Sequence, residues 1–133
     1  MLEWDESYSV NVKEFDFQHR GLFETLNKLG DAMNEGKGNE VLGPALKTLV
    51  QYSHEHFAAE EKEMKRLQFP EYYIHLEEHE KFKEKVKNFI EEWEQGKILL
   101  SVEVLKFLTE WFCNHIQKVD KKYGPFFNEN GLR

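Results

Sequence analysis

The chain has 133 residues, 40% of them hydrophobic and 14% aromatic, which is the size of one domain with enough apolar surface for a core. With 25 acidic against 18 basic side chains and a formal charge of -7, its surface repels phosphate backbones and anionic lipid, which argues against nucleic acid and membrane partners. No apolar run approaches the roughly 18 residues of a spanning helix, and the acidic opening from Met1 to Val10 lacks the basic and apolar regions of a secretory signal, so a cytoplasmic protein is expected.

In chain order, residues 1–14 have no helical period but carry Leu2, Trp4, Tyr8, Val10 and Val12, which predicts an extended arm on the core with Trp4 as its anchor. Asp16 is placed as N-cap of a first helix with apolar positions Leu22, Phe23, Leu26, Leu29 and Met33, stopping near Gly36. Asn39 caps a second helix that tolerates Pro44 near its start and buries Val41, Leu42, Leu46, Leu49, Val50, Phe57, Met64 and Leu67. Pro70 opens a third, with Ile74, Leu76, Phe82, Val86, Phe89, Ile90 and Trp93 inward and a stop at Gly96. Ser101 caps a fourth, which buries Val104, Leu105, Leu108, Trp111, Phe112, Ile116 and Val119 and ends at Gly124 and Pro125, with Phe126 and Phe127 folding back on the bundle. Amphipathic helices joined by short turns predict an all-α, antiparallel up-down-up-down four-helix bundle.

Five of the six histidines fall in one sparse pattern: His19, His56 with Glu60, His75 with His79, and His115 with Asp120. Positions four apart on an α-helix lie about 40° apart around the axis and about 6 Å apart along it, so the second and third pairs each share a face. A five-residue step turns about 140°, so Asp120 either reaches the site from a looser last turn or lies outside it. In an antiparallel bundle the starts of the first and third helices meet the ends of the second and fourth, which brings all these positions to one level. Five buried imidazoles without partners would each carry a desolvation cost, which a bound metal removes. Seven donors exceed the four of a closed zinc site, whereas two ions bridged by carboxylates would use them all.

His54, nearly opposite His56 on its helix, is expected to face solvent, and Cys113, the only cysteine, is read as a small buried or half-buried side chain rather than a reactive thiol. The charge runs Glu60 to Lys65 and Glu77 to Lys87 read as solvated faces from which only Glu60 and His79 turn inward. Lys118, Lys121 and Lys122 complement the dipole at a helix C-terminus.

Trp4, the Ser9 and Val10 segment, the run Asp16, Phe17, Gln18, His19 with Leu22 and Phe23, then His56, Phe57, Glu60, Glu61 and Met64, then His75, His79 and Phe82, and finally Trp111, His115, Ile116 and Asp120 together resemble the hemerythrin family, specifically its single-domain bacterial kind. The resemblance covers nearly the whole length and implies one hemerythrin-like domain over residues 1–133. The arm has Asn11 where the family usually has glycine, and Asn tolerates positive φ better than most residues. The resemblance implies two non-haem iron ions joined by an oxo or hydroxo bridge. His75, His79 and His115 would bind one iron and His19 and His56 the other, with Glu60 and Asp120 bridging. The two-histidine iron would then keep one vacant position, where O2 would be the ligand.

The function implied by the resemblance is reversible dioxygen binding for carriage, storage or delivery to an unidentified oxygen-accepting protein, without enzymatic turnover; the acidic surface and the lack of an obvious extra apolar face favour a monomer. Phe23, Phe57 and Phe112 are candidates for lining a dry O2 pocket. The alternatives are a di-iron redox enzyme acting on peroxide or NO, and an oxygen sensor working through a separate partner. Ferritin-like oxidases use Glu-rich sites with Glu-x-x-His pairs, whereas this chain is histidine-rich, which favours binding.

Overall fold

The structure, a computed structural model, describes residues 2–36, 38–96 and 102–133, with side-chain surroundings described outside 38–42 and 102–103. Its helices are α1 (Lys13–Asn34), α2 (Gly38–Arg66), α3 (Tyr72–Glu94), α4 (Val102–Asn114) and α5 (Tyr123–Glu129). Between α4 and α5 the chain makes a π-helical turn, His115–Val119, and a 3₁₀ turn, Asp120–Lys122; a further 3₁₀ turn, Glu6–Tyr8, interrupts the arm. There is no strand among the described residues, and no helix there is long and apolar enough to cross a membrane. Helix α1 packs on α2 and α4, and α2 on α3, while the ring pairs Phe82–Phe112 and Phe89–Phe107 join α3 to α4, closing a four-helix bundle.

The apolar residues sort into two cores. One, around Leu22, Leu26, Leu46, Leu49, Phe57, Phe82, Val86 and Leu108, fills the bundle interior, with Leu2 of the arm packed against it. The other joins Val10, Val12 and Phe15 to Met64, Phe69, Tyr123 and Phe127, so the arm and α5 close one end of the bundle. Phe127 is fully buried and Phe126 packs partly on the same core, as expected of a tail that folds back.

The arm lies along α1 as expected, and polar groups pin it. The Asn27 amide both donates to the Leu2 carbonyl (2.8 Å) and accepts from its N–H (2.9 Å). Trp4 packs on Tyr8 and Phe23, with the Arg20 guanidinium over its ring. Asn11 sits at φ 60°, the left-handed conformation its side chain tolerates.

Four local expectations need correction. Asp16 is not the N-cap of α1, which starts after Val12; its carboxylate reaches back to accept from the Val10 N–H at 2.8 Å and the Ser9 hydroxyl at 2.7 Å, tying the arm to the first turn. Pro70 lies in the turn ahead of α3, whose N-cap is Glu71. Ile74 is 56% exposed, because His75 takes the inward direction and its neighbour is turned about 100° away. Gly124 and Pro125 do not end a helix. They sit in the first turn of α5, where the missing proline N–H has no intrahelical acceptor to lose. Gly124 is required there because a Cβ would stand 2.5 Å from the Val10 carbonyl oxygen. The expected caps at Asn39 and Ser101, and the inward placing of Val41 and Leu42, lie outside the described residues and side chains.

Candidate metal centre

The seven predicted donors all meet in one buried layer between the two cores: His19, His75, His79, Glu60 and Asp120 are fully buried, and His56 and His115 are 2% and 3% exposed. His19 comes from α1, His56 and Glu60 from α2, and His75 and His79 from α3. His115 opens the π-helical turn that brings in Asp120. That turn resolves the five-residue step. A π-helix closes its ring from residue i to i+5, and here the Asp120 N–H donates to the His115 carbonyl, so the two side chains return to the same face.

The contacts are shared in a specific way. One Glu60 oxygen, Oε1, lies 3.2 Å from His56 Nε2 and 3.5 Å from His79 Nε2, while Oε2 lies 3.6 Å from His19 Nε2. Asp120 Oδ1 lies 3.0 Å from His115 Nε2 and 3.2 Å from His75 Nε2, and Oδ2 lies 3.2 Å from His19 Nε2. All five imidazoles therefore present Nε2, and each carboxylate stands between the His19 and His56 pair and the trio on α3 and the π turn. Two four-donor groups result, His19, His56, Glu60, Asp120 and Glu60, His79, His115, Asp120, each with its ligand atoms within 4.8 Å of one another. They share both carboxylates, and His75 joins through Asp120.

The outward nitrogens explain why Nε2 faces in. His56 Nδ1–H donates to Gln18 Oε1, His79 Nδ1–H to Glu61 (2.8 Å) and His115 Nδ1–H to Glu78 (3.3 Å). A proton held at Nδ1 leaves the Nε2 lone pair pointing inward, the tautomer that binds metal. His79 and His115 then face each other Nε2 to Nε2 at 3.2 Å, an arrangement that needs a cation or a proton between them. His19 Nε2, Glu60 Oε1 and Asp120 Oδ2 are buried without an aligned hydrogen bond, as donors aimed at a shared central space would be. The donor set, neutral imidazoles and two carboxylates, fits transition-metal ions.

Charge and burial act on the same layer. Burial acts to lower the pKa of His19 and His115, but the neighbouring carboxylates, Asp120 foremost, outweigh it and push them up to about 9 and about 10. In the metal-free chain protons thus stand where a cation would. His56 is pushed below its ordinary value by burial. Burial raises Asp120, and burial together with the charge of Asp120 raises Glu60, yet the surrounding histidines hold both carboxyls well below the usual range.

Sequence reasoning missed several groups that complete the layer. Glu61 and Glu78, expected within solvated charge runs, turn in to hold histidines; each is the immediate neighbour of a ligand-type residue, which was the available signal. Tyr123, fully buried, donates its hydroxyl to Glu60 Oε2, and burial and the charges of Glu60 and Asp120 push its pKa well above the phenol range. The walls are aromatic: Phe57 stacks on His79 with centroids 3.9 Å apart, Trp111 stacks on His115 at 4.4 Å, and Phe15 and Phe69 edge onto His56 and His75. Of the expected pocket residues, Phe57 touches the histidines. Phe23 packs with Trp4 and Tyr8, and Phe112 with Phe82 and Trp111. His54 is exposed, and half-buried Cys113 accepts a long contact from the Tyr8 hydroxyl at 3.6 Å.

A four-helix bundle interrupted by one buried layer of imidazoles around two shared carboxylates defines a bundle metalloprotein of the histidine–carboxylate type. The chain belongs to the hemerythrin family: the family model described as the hemerythrin HHE cation binding domain matches residues 10–127. It is 32% identical to the bacteriohemerythrin of Methylococcus capsulatus, covering 94% of this chain and 95% of that one. With the myohemerythrin of Theromyzon tessulatum it shares 31% identity over 91% of this chain and 89% of the relative. A crystal structure of wild-type hemerythrin superposes with a TM-score of 0.87 at 31% identity, covering 94% and 96% of the two chains.

Proposed function

We propose that this chain binds dioxygen reversibly at a non-haem di-iron centre, as a monomeric cytoplasmic carrier or store rather than an enzyme. The observation that carries the reading is the sharing of Glu60 and Asp120 between two groups of histidine Nε2 atoms. His75, His79 and His115 would hold one iron and His19 and His56 the other, with Glu60 and Asp120 shared between them. When bound, the iron pair supplies the two electrons that reversible capture of O2 draws on.

The residues do the rest. The side with His19 and His56 has one imidazole fewer, so it would be the side open to a small ligand. Phe57, Phe15, Phe69 and Trp111 line the histidines with apolar surface, which Phe112 extends through Trp111, so that water is kept from the site and a captured ligand would leave as it came. Gln18, Glu61 and Glu78 hold three imidazoles with Nε2 inward before any metal arrives, which lowers the cost of assembling the site. The five-imidazole set differs from the Glu-rich sets of ferritin-like oxidases, which favours binding over turnover.

Metal analysis of the iron-loaded protein should return about two irons per chain. Stopped-flow mixing of the reduced protein with O2 should then give a charge-transfer band that disappears under vacuum. Rapid conversion to the oxidised form with release of peroxide would overturn the assignment to carriage.

A further inference from the structure

The two halves of the metal layer differ in what holds their histidines from behind. On the trio side, His79 Nδ1–H donates to the carboxylate of Glu61 at 2.8 Å and His115 Nδ1–H to that of Glu78 at 3.3 Å. On the pair side, His56 Nδ1–H donates to the neutral amide oxygen of Gln18.

A carboxylate behind an imidazole draws its Nδ1 proton outward and makes Nε2 a stronger donor, whereas an amide does so weakly. We propose that Glu61 and Glu78 are positioning residues whose negative charge, set against neutral Gln18, makes the His75, His79, His115 position the electron-rich one and the His19, His56 position the electron-poor one. The first position then holds a cation more tightly and favours the higher oxidation state. The second stays the stronger Lewis acid, on the side left open to a ligand. Glu61, with an 18% exposed side chain and the shorter contact, has more effect than Glu78, whose side chain is 36% exposed. The inference rests on the two-metal reading above, though not on which ligand the centre takes.

The test is charge without shape. Glu61→Gln and Glu78→Gln each keep an oxygen that accepts from Nδ1–H and remove the charge, while Gln18→Glu adds charge behind His56. In the full-length protein, Co(II) affinity is read by competition with a chromophoric chelator, and the midpoint potential of the iron-loaded protein by spectroelectrochemistry. Glu61→Gln should weaken the tighter Co(II) site about tenfold, at the low end for partners of ligating histidines, and Glu78→Gln less. A tenfold change in ferric over ferrous preference corresponds to a rise of about 59 mV for a one-electron couple. Gln18→Glu should tighten the weaker site and lower the potential.

Glu61→Ala separates charge from position. If charge carries the effect, Gln and Ala variants both shift the potential upward; if Gln variants match the parent and only Ala shifts, the proposal is overturned. It is equally overturned if Gln18→Glu leaves both readouts unchanged, an arm that stands even if a Glu61 variant fails to fold. Co(II) affinity does not depend on O2, so a parent that fails to bind O2 while Glu61→Gln weakens Co(II) refutes the carrier reading alone. A parent that binds O2 with variants indistinguishable from it refutes this inference alone.

Discussion

Tyr123→Phe removes one hydroxyl from the middle of the buried layer and nothing else. The ring is fully buried and is held by Phe127 (centroids 4.7 Å), Phe15 (5.6 Å) and His75 (5.7 Å), contacts that Phe repeats, so no cavity opens. What is lost is the hydrogen bond to Glu60 Oε2, an acceptor that is charged and fully buried from bulk solvent. A hydrogen bond to a charged group contributes about 1.5–3 kcal/mol, and an abandoned buried charge puts the loss in the upper part of that range. At about 2.1 cal/mol/K of unfolding entropy per residue over 133 residues, each kcal/mol moves Tm by ~3.6 °C, so the metal-free variant should melt ~8 to 11 °C below the parent. Metal-loaded protein should lose less, because a cation then partners Glu60. Calorimetry of both forms checks this. A metal-free variant melting within about 1 °C of the parent would show that the Tyr123–Glu60 bond contributes nothing to stability.

Because His19 and His115 are pushed up to about 9 and about 10 in the metal-free chain, both carry protons at pH 7.5, and metal must displace them. Loading with Co(II) in weakly buffered medium at that pH should release about two protons per chain, read with an indicator dye. The same raised values add stability that is complete below the unfolded pKa near 6.5 and is lost as pH rises through about 9 to 10. Tm of the metal-free protein should therefore fall over that window, whereas metal-loaded protein should stay level. Gly124→Ala forces a Cβ to within 2.5 Å of the Val10 carbonyl, and the resulting shift of the arm should cost about 1–2 kcal/mol net of the gain in helix propensity. A raised urea midpoint would contradict that close approach. At the end of α2, Gln68 occupies φ 61° in a closure where the Phe69 N–H donates to the Met64 carbonyl at 2.8 Å, a position that favours glycine. Gln68→Gly should stabilise by about 0.5–1 kcal/mol, visible as a small rise in Tm.

The bundle was legible because helical periodicity is local. The spacing of Leu22, Phe23, Leu26 and Leu29, or of Phe82 and Val86, states which face is buried without reference to any other helix. The ligand-type residues were legible for the same reason: His56 with Glu60, and His75 with His79, share a face by their four-residue step alone. Ile74 misled because periodicity admits a neighbouring register until a polar inward residue, His75, settles which one is used.

Two kinds of feature lay beyond that reading. The step from His115 to Asp120 is wrong for an α-helix, and only a π-helical turn, stabilised within the packed end formed by the arm and α5, turns Asp120 back toward His115. The outer partners are the second kind. Gln18 meets His56, Glu61 meets His79, Glu78 meets His115 and Tyr123 meets Glu60 across separations of 38, 18, 37 and 63 residues. No period relates such residues, since each pairing depends on the relative rotation and height of two different helices. Residue spacing along the chain thus narrows which side chains go inward and at what level. Packing between helices sets which nitrogen each histidine turns to the centre and which carboxylates stand behind it.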